Sequence, residues 1–374
     1  MLTVKEQLAK NFINALGWKT KQKYLIIESD DWGAIRVPSR DVYEKLKAAD
    51  ISVDKFHFDK YDSLESEEDL NALFEVLFSC NDKYGNHPII TAYYVVANPN
   101  FEKIEATNRR EYHYEDINKT FNRSEHTSSV MKRVEEGIKK KIFIPQFHGR
   151  EHIHVKRWME AINSNSKKEQ LAFNLRAIIS SKPTFFDQSY KYDYFKGFDY
   201  ITTIEQQDIE SIHRDGLHLF KEIFGMRSLT FTAQGGAWGN HLLKILNDEG
   251  VRLIGGQQMH PDGKGGYKRI NKTWGTKNKL GQLHWRRNCM FEPARNQNFD
   301  WVGKCMAEIE IAFRWGKPAV ISSHRENFIG SIFEDNRTES LKKLDQLLKK
   351  ILIRWPDVKF ISSPQLAEIM LQSK

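Results

Sequence analysis

The sequence predicts an α/β fold in which about seven parallel strands, joined by crossover helices, form a closed or nearly closed barrel. Three observations lead there. Apolar runs of strand length recur along the 374 residues, and helical patterns fill the intervals between them. Such alternation implies a mainly parallel sheet. The residues able to hold a metal fall where apolar runs end, and a β/α barrel gathers its chemistry at the C-terminal ends of its strands. An open doubly wound sheet shares the alternation but brings four strand ends to one point less readily.

The elements follow in order. The segment Met1-Leu2-Thr3-Val4-Lys5-Glu6-Gln7 carries charge too early for a secretory signal and reads as a short amphipathic helix. Tyr24-Leu25-Ile26-Ile27 is the first strand and meets its loop at Ser29-Asp30-Asp31-Trp32-Gly33. A helix follows over 39–49 with Ser39 as its N-cap. An inserted loop over 56–66 precedes a helix over 67–80. The second strand is the run from Pro88 to Val96, and the polar stretch 100–123 reads as a second insertion.

A helix over 128–139 leads into Ile142-Phe143-Ile144-Pro145, a strand that ends in Gln146-Phe147-His148-Gly149-Arg150-Glu151-His152. Helices over 155–163 and 204–224, the latter stopped by Gly225, come next. Ser228-Leu229-Thr230-Phe231-Thr232-Ala233 is a strand followed by Gln234-Gly235-Gly236-Ala237-Trp238-Gly239. A helix over 240–248, a strand over 251–254, a Gly- and Lys-rich loop over 255–279 and a strand over 282–291 follow. The chain closes with a helix over 301–315, the strand Pro318-Ala319-Val320-Ile321-Ser322-Ser323 ending at His324, a helix over 337–354, a strand over 358–361 and a helix over 365–371. The whole reads as one catalytic domain, residues 1–374, with insertions near 56–66, 100–123 and 255–279.

Bulk properties narrow the function. The composition, 40% hydrophobic and 28% charged, is that of an ordinary globular protein, and no stretch reaches the length of a membrane span. The net charge of +8 is spread along the chain. Lys139-Lys140-Lys141 and Lys342-Lys343 flank apolar residues at helical spacing, so they read as solvated helix faces and not as a nucleic-acid footprint. Cys80, Cys289 and Cys305 are odd in number and far apart, which argues against a disulfide framework or a thiolate metal site. A cytoplasmic location is expected.

The chemistry lies in the polar residues at the strand ends. Two adjacent carboxylates resist joint ionisation unless a positive group compensates, and a metal ion does so well. An Asp and two His match a catalytic site with three protein ligands and open positions for water or substrate. A second carboxylate can take a proton from the attacking water, and a histidine across the site can give one to the leaving group. Asp30, Asp31, His148, His152 and His324 supply that set. A His-x-x-x-His pair arises by chance in about one such chain in two; its order and placement after apolar strands carry the argument. His154 could compete as a ligand but reads as structural.

These residues resemble the polysaccharide deacetylase superfamily, carbohydrate esterase family 4. The resemblance rests on Asp30-Asp31 after the first strand, His148 and His152 as His-x-x-x-His, and Val320-Ile321-Ser322-Ser323-His324 as the late strand ending in His. It implies a distorted β/α barrel and metal-dependent removal of acetyl groups from a saccharide. Residue by residue it assigns the base to Asp30, the metal ligands to Asp31, His148 and His152, and the acid to His324. The family's Arg-x-Pro, whose arginine pairs with the base, has no counterpart in Thr232-Ala233-Gln234-Gly235-Gly236. Arg287 and Arg36 are the candidate replacements.

By analogy, amides of Gly235 and Gly236 would help to hold the oxyanion. Trp32 and Trp238 are candidates for a sugar-stacking platform, although core packing is the default for tryptophan. The metal expected is zinc, with cobalt, nickel or ferrous iron compatible with the same ligands. Against deacetylation stand hydrolysis of another amide or ester, and saccharide binding without turnover.

Overall fold

The computed structural model describes residues 2–181, 193–256 and 258–373. Nine strands form the main sheet: β1 (Tyr24–Trp32), β2 (Ile90–Val95), β3 (Phe143–Gly149), β4 (Thr230–Phe231), β5 (Leu253–Ile254), β6 (Leu283–His284), β7 (Cys289–Met290), β8 (Ala319–His324) and β9 (Lys359–Phe360). Their spatial order is β6-β5-β4-β3-β2-β1-β8-β7, with β9 on β1. All pairings within this sheet are parallel. The register sets Asp30 opposite His324.

The segment 282–291, read from sequence as one strand, is a correction. It contains β6 at one edge of the sheet and β7 at the other. The four residues from Trp285 to Asn288 connect the two edges. Extended chain covers at most about 3.6 Å per residue, so the edges lie within roughly 18 Å and the sheet must curl. Its parallel strands thus form a distorted barrel with a sewn seam.

Alternation sorts the side chains. Leu25 and Ile27 of β1 pack outward with Ile90, Phe143, Ile321 and the helices Glu67–Phe78, Trp301–Arg314 and Glu334–Arg354. Ile26 belongs to a separate cluster with Tyr93, Trp285, Val320 and Leu366. On the same face as Ile26 stand Glu28 and Asp30.

Among the expected helices, two carry the cap and the stop read from sequence. Ser39 accepts from the Val42 amide at the start of Arg40–Ala48, and Gly225, with φ 66°, ends Thr203–Phe224. The N-terminal helix Val4–Ala15 is closed by a Thr3–Glu6 capping box. It docks through polar groups, Lys10 to Glu308 at 3.0 Å, while Val4, Leu8 and Phe12 stay exposed.

The three insertions are more ordered than their polar sequences suggest. Residues 56–66 include the helix His57–Tyr61, and 100–123 contain the strand Tyr114–Asp116, antiparallel to Ala97–Pro99. Residues 255–279, of which Gln257 lies outside the described residues, contain the hairpin Gln258–Pro261 with Tyr267–Ile270. The three cysteines are unpaired. No helix among the described residues is long and apolar enough to cross a membrane.

Candidate metal centre and active site

Strand β1 runs through the Asp-Asp pair instead of ending before it. In a regular strand, neighbours point to opposite faces, so only one of Asp30 and Asp31 could face the cavity. The pairing with β2 shifts register between Ser29 and Trp32, and Asp31 has φ 74°. This irregularity is a β-bulge, a device that re-aims side chains. Asp30 and Asp31 both line one cavity, while Trp32 returns to the outer core and donates to Ser29 Oγ at 2.9 Å.

Asp31 meets the two histidines. Its Oδ1 lies 3.3 Å from His148 Nε2 and 2.8 Å from His152 Nε2. One ligand atom from each of the three residues lies within 4.8 Å of the others. His148 Nδ1 donates to the Thr232 carbonyl at 2.8 Å. A carbonyl only accepts, so in a neutral ring Nε2 would keep its lone pair and direct it at the Asp31 side. In that state a cation between Nε2 and the carboxylate would satisfy both. Burial lowers the His152 pKa further than Asp31 raises it, favouring the neutral imidazole that metal binding requires. Asp31 sits well below the usual carboxylate range: burial opposes ionisation, but His152 and His148 outweigh it. The donor set and the backbone bond on His148 fit a divalent metal.

The Thr232–Gly236 segment serves this centre without an arginine. Besides the Thr232 carbonyl, Gln234 Nε2 donates to the carbonyls of His148 at 2.9 Å and Glu151 at 2.7 Å. That bracket ties the turn carrying both histidines. Gly149 has φ 137°, and a Cβ there would stand 2.4 Å from Gln234 Nε2, so the turn needs glycine.

Arg287 takes the place beside the base. Nη1 and Nη2 donate to Asp30 Oδ2 and Oδ1, each at 2.6 Å, and Nε donates to Glu28 Oε2 at 2.6 Å. Burial pushes the Asp30 pKa up, but the Arg287 guanidinium outweighs it and holds the carboxyl below its ordinary value. Glu28 also accepts from Trp285 Nε1 at 3.0 Å and Ser363 Oγ at 2.5 Å. The seam segment therefore carries the arginine that fixes the base.

His324 faces Asp30, with Nε2 4.0 Å from Oδ2. Its Nδ1 bonds Glu292 Oε1 at 2.7 Å, and Asn327 donates to the other Glu292 oxygen at 2.7 Å. Burial would lower the His324 pKa; Glu292, then Asp31 and Asp30, raise it to about 10. Glu28 and Glu292 were not anticipated from sequence. Glu28 had a signal, since it stands two residues before Asp30 and shares its face; Glu292 has no recognisable motif.

Some expectations require correction. Trp32 and Trp238 are 0% and 1% exposed, so neither offers a ring face to a sugar. Trp32 packs against Phe143 and Phe328, and Trp238 against Phe231. Gly235 lines the cavity, but the Gly236 amide is spent on the Ala233 carbonyl at 3.2 Å and is not an oxyanion donor. His154 keeps its structural reading: its Nδ1 accepts from the Arg157 amide and caps the helix Val155–Ile162.

No protein family and no curated protein matches the sequence. Solved structures align along most of its length. A probable polysaccharide deacetylase from Pseudomonas aeruginosa PAO1 is 10% identical, with 93% of this chain and 91% of that one covered and a TM-score of 0.47. The PuuE allantoinase is 11% identical over 94% and 91%, also at 0.47. A carbohydrate esterase family 4 pseudoenzyme from Bacillus anthracis is 8% identical over 92% and 66%, at 0.39. These are likenesses to polysaccharide deacetylase-type structures at low identity. The neighbours include a pseudoenzyme and an allantoinase.

Proposed function

We propose that the protein is a metal-dependent deacetylase that hydrolyses N- or O-acetyl groups on a saccharide, in the cytoplasm and during polysaccharide assembly. The observation that carries this reading is the grouping of Asp31, His148 and His152 within 4.8 Å beside a separately held carboxylate, Asp30. When bound by those three residues, a divalent metal such as zinc supplies Lewis acidity toward an acyl carbonyl and acidifies water. Asp30 accepts the proton of the attacking water. Arg287 keeps that carboxylate ionised and aimed, using both of its oxygens. His324, protonated at neutral pH, gives its Nε2 proton to the departing amine or alcohol, while Glu292 fixes the ring through Nδ1.

Saccharide binding without turnover would draw its support from the absence of the family's usual arginine. Arg287 on Asp30 removes that support. The test is acetate release by zinc-loaded protein from a panel of N-acetylated and O-acetylated oligosaccharides, beside Asp30→Asn. Release by the parent and loss in the variant is the expected result. Equal release by both would remove Asp30 as base, and hydrolysis of other amides or esters without acetate release would replace deacetylation.

A further inference from the structure

Arg36 remains unused once the base, acid and ligands are placed. It lines the same cavity, of about 260 Å³, as Asp30, Asp31, His148, His152 and His324. The residue is 5% exposed. Its guanidinium carbon sits 4.0 Å from the centre of the Phe195 ring and 5.2 Å from that of Phe58, so the group is held against aromatic rings. Nε and Nη1 are buried and donate no hydrogen bond among the described residues.

Asp62 and Asp59 leave Nε and Nη1 without a hydrogen bond. Asp62 Oδ2 forms an ion pair with Arg36 Nε at 3.6 Å, beyond hydrogen-bond length, while Asp62 Oδ1 accepts from Arg325 at 3.0 Å. Asp59 spends its carboxylate on the Ser180 amide at 3.0 Å. Buried charged donors without hydrogen bonds are costly, and a carboxylate or phosphate matches a guanidinium with charge-assisted bonds. Lys196, also 5% exposed, lines the cavity as a second cation. Arg36 also lines the neighbouring groove of about 770 Å³, so a saccharide occupying both would pass it.

We propose that Arg36 recognises an oxyanion, a carboxylate or a phosphate, carried by the substrate close to the hydrolysed acyl group. The natural substrate is therefore an acidic saccharide. This inference rests on reading the cavity as a hydrolase site, but its test does not need turnover. Inorganic phosphate is titrated calorimetrically into the full-length protein after chelation of metal, beside Arg36→Gln and Arg36→Lys. N-acetylmuramic acid, N-acetylglucosamine 6-phosphate and neutral N-acetylglucosamine are then compared in the metal-loaded protein.

One phosphate per chain is expected, weakened at least ~10-fold by Arg36→Gln and partly restored by Arg36→Lys. One of the acidic sugars should bind at least ~10-fold more tightly than the neutral one, and which of them does so distinguishes carboxylate from phosphate. Failure of the wild-type protein to bind phosphate, binding unchanged in Arg36→Gln, or no preference for either acidic sugar would overturn the proposal. The wild-type arms decide even where a variant does not fold. Metal retention, measured separately, reports on the hydrolase reading alone.

Discussion

Arg287 and Glu292 set the protonation states on which the proposed chemistry depends. Asp30 is shared between burial and a bidentate guanidinium, and the guanidinium prevails. Asp30→Asn should lower turnover by about 10²–10⁴ while metal content, measured by mass spectrometry, stays at the parent level. His324 depends on Glu292 in the opposite sense. Its folded pKa, about 10, is raised, so the acid form is present at neutral pH and is lost as pH rises through that value. Glu292→Gln removes the principal raising charge, and the alkaline limb of the pH–rate profile should move to lower pH. An unmoved limb would separate Glu292 from the acid.

The residues legible in sequence were those standing at predicted strand ends in a recognisable order: Asp30, Asp31, His148, His152 and His324. Glu28 and Glu292 were not, because each owes its place to a partner remote in sequence, Arg287 and His324.

At the scale of elements, the bulge in β1 and the bracket from Gln234 build the site. The first strand read as ending at Ile27 because polar residues follow it. Glu28, Asp30 and Asp31 are instead interior strand residues, tolerated because Arg287 and the histidines compensate them. The split of 282–291 into β6 and β7 was invisible for another reason. Periodicity reports strand character but not the sheet edge a residue joins.

Gln234→Leu tests the bracket. Losing two hydrogen bonds to the carbonyls of His148 and Glu151 should cost about 1–3 kcal/mol of stability. It should also weaken metal binding by about 10–100-fold, the usual effect of removing an outer support. Chemical denaturation and metal titration would measure the two effects; parent values in both would show that the turn holds itself.

The whole molecule should be sensitive to acid. Burial holds His154, His241 and His284 down to about 4, against an ordinary value of 6.5. Between those values the unfolded chain binds protons that the folded protein excludes. Stability is therefore lost as pH falls from about 6.5 to about 4. Melting temperature followed across that window should decline, and His241→Gln should lessen the decline. A flat profile would mean that these rings gain solvent or a partner on protonation.

The barrel and its helix alternation were legible as a whole, because apolar runs and caps are local signals. The curled seam was not, because it is a relation between two distant edges.

The proposed chemistry depends on a metal centre made by Asp31, His148 and His152 where strand ends converge. The most direct measurement is metal content by mass spectrometry on the purified protein, beside a His148→Ala/His152→Ala variant. One tightly held ion per chain, lost in the variant, is the predicted result. No metal in either protein, even after zinc is added, would contradict the account.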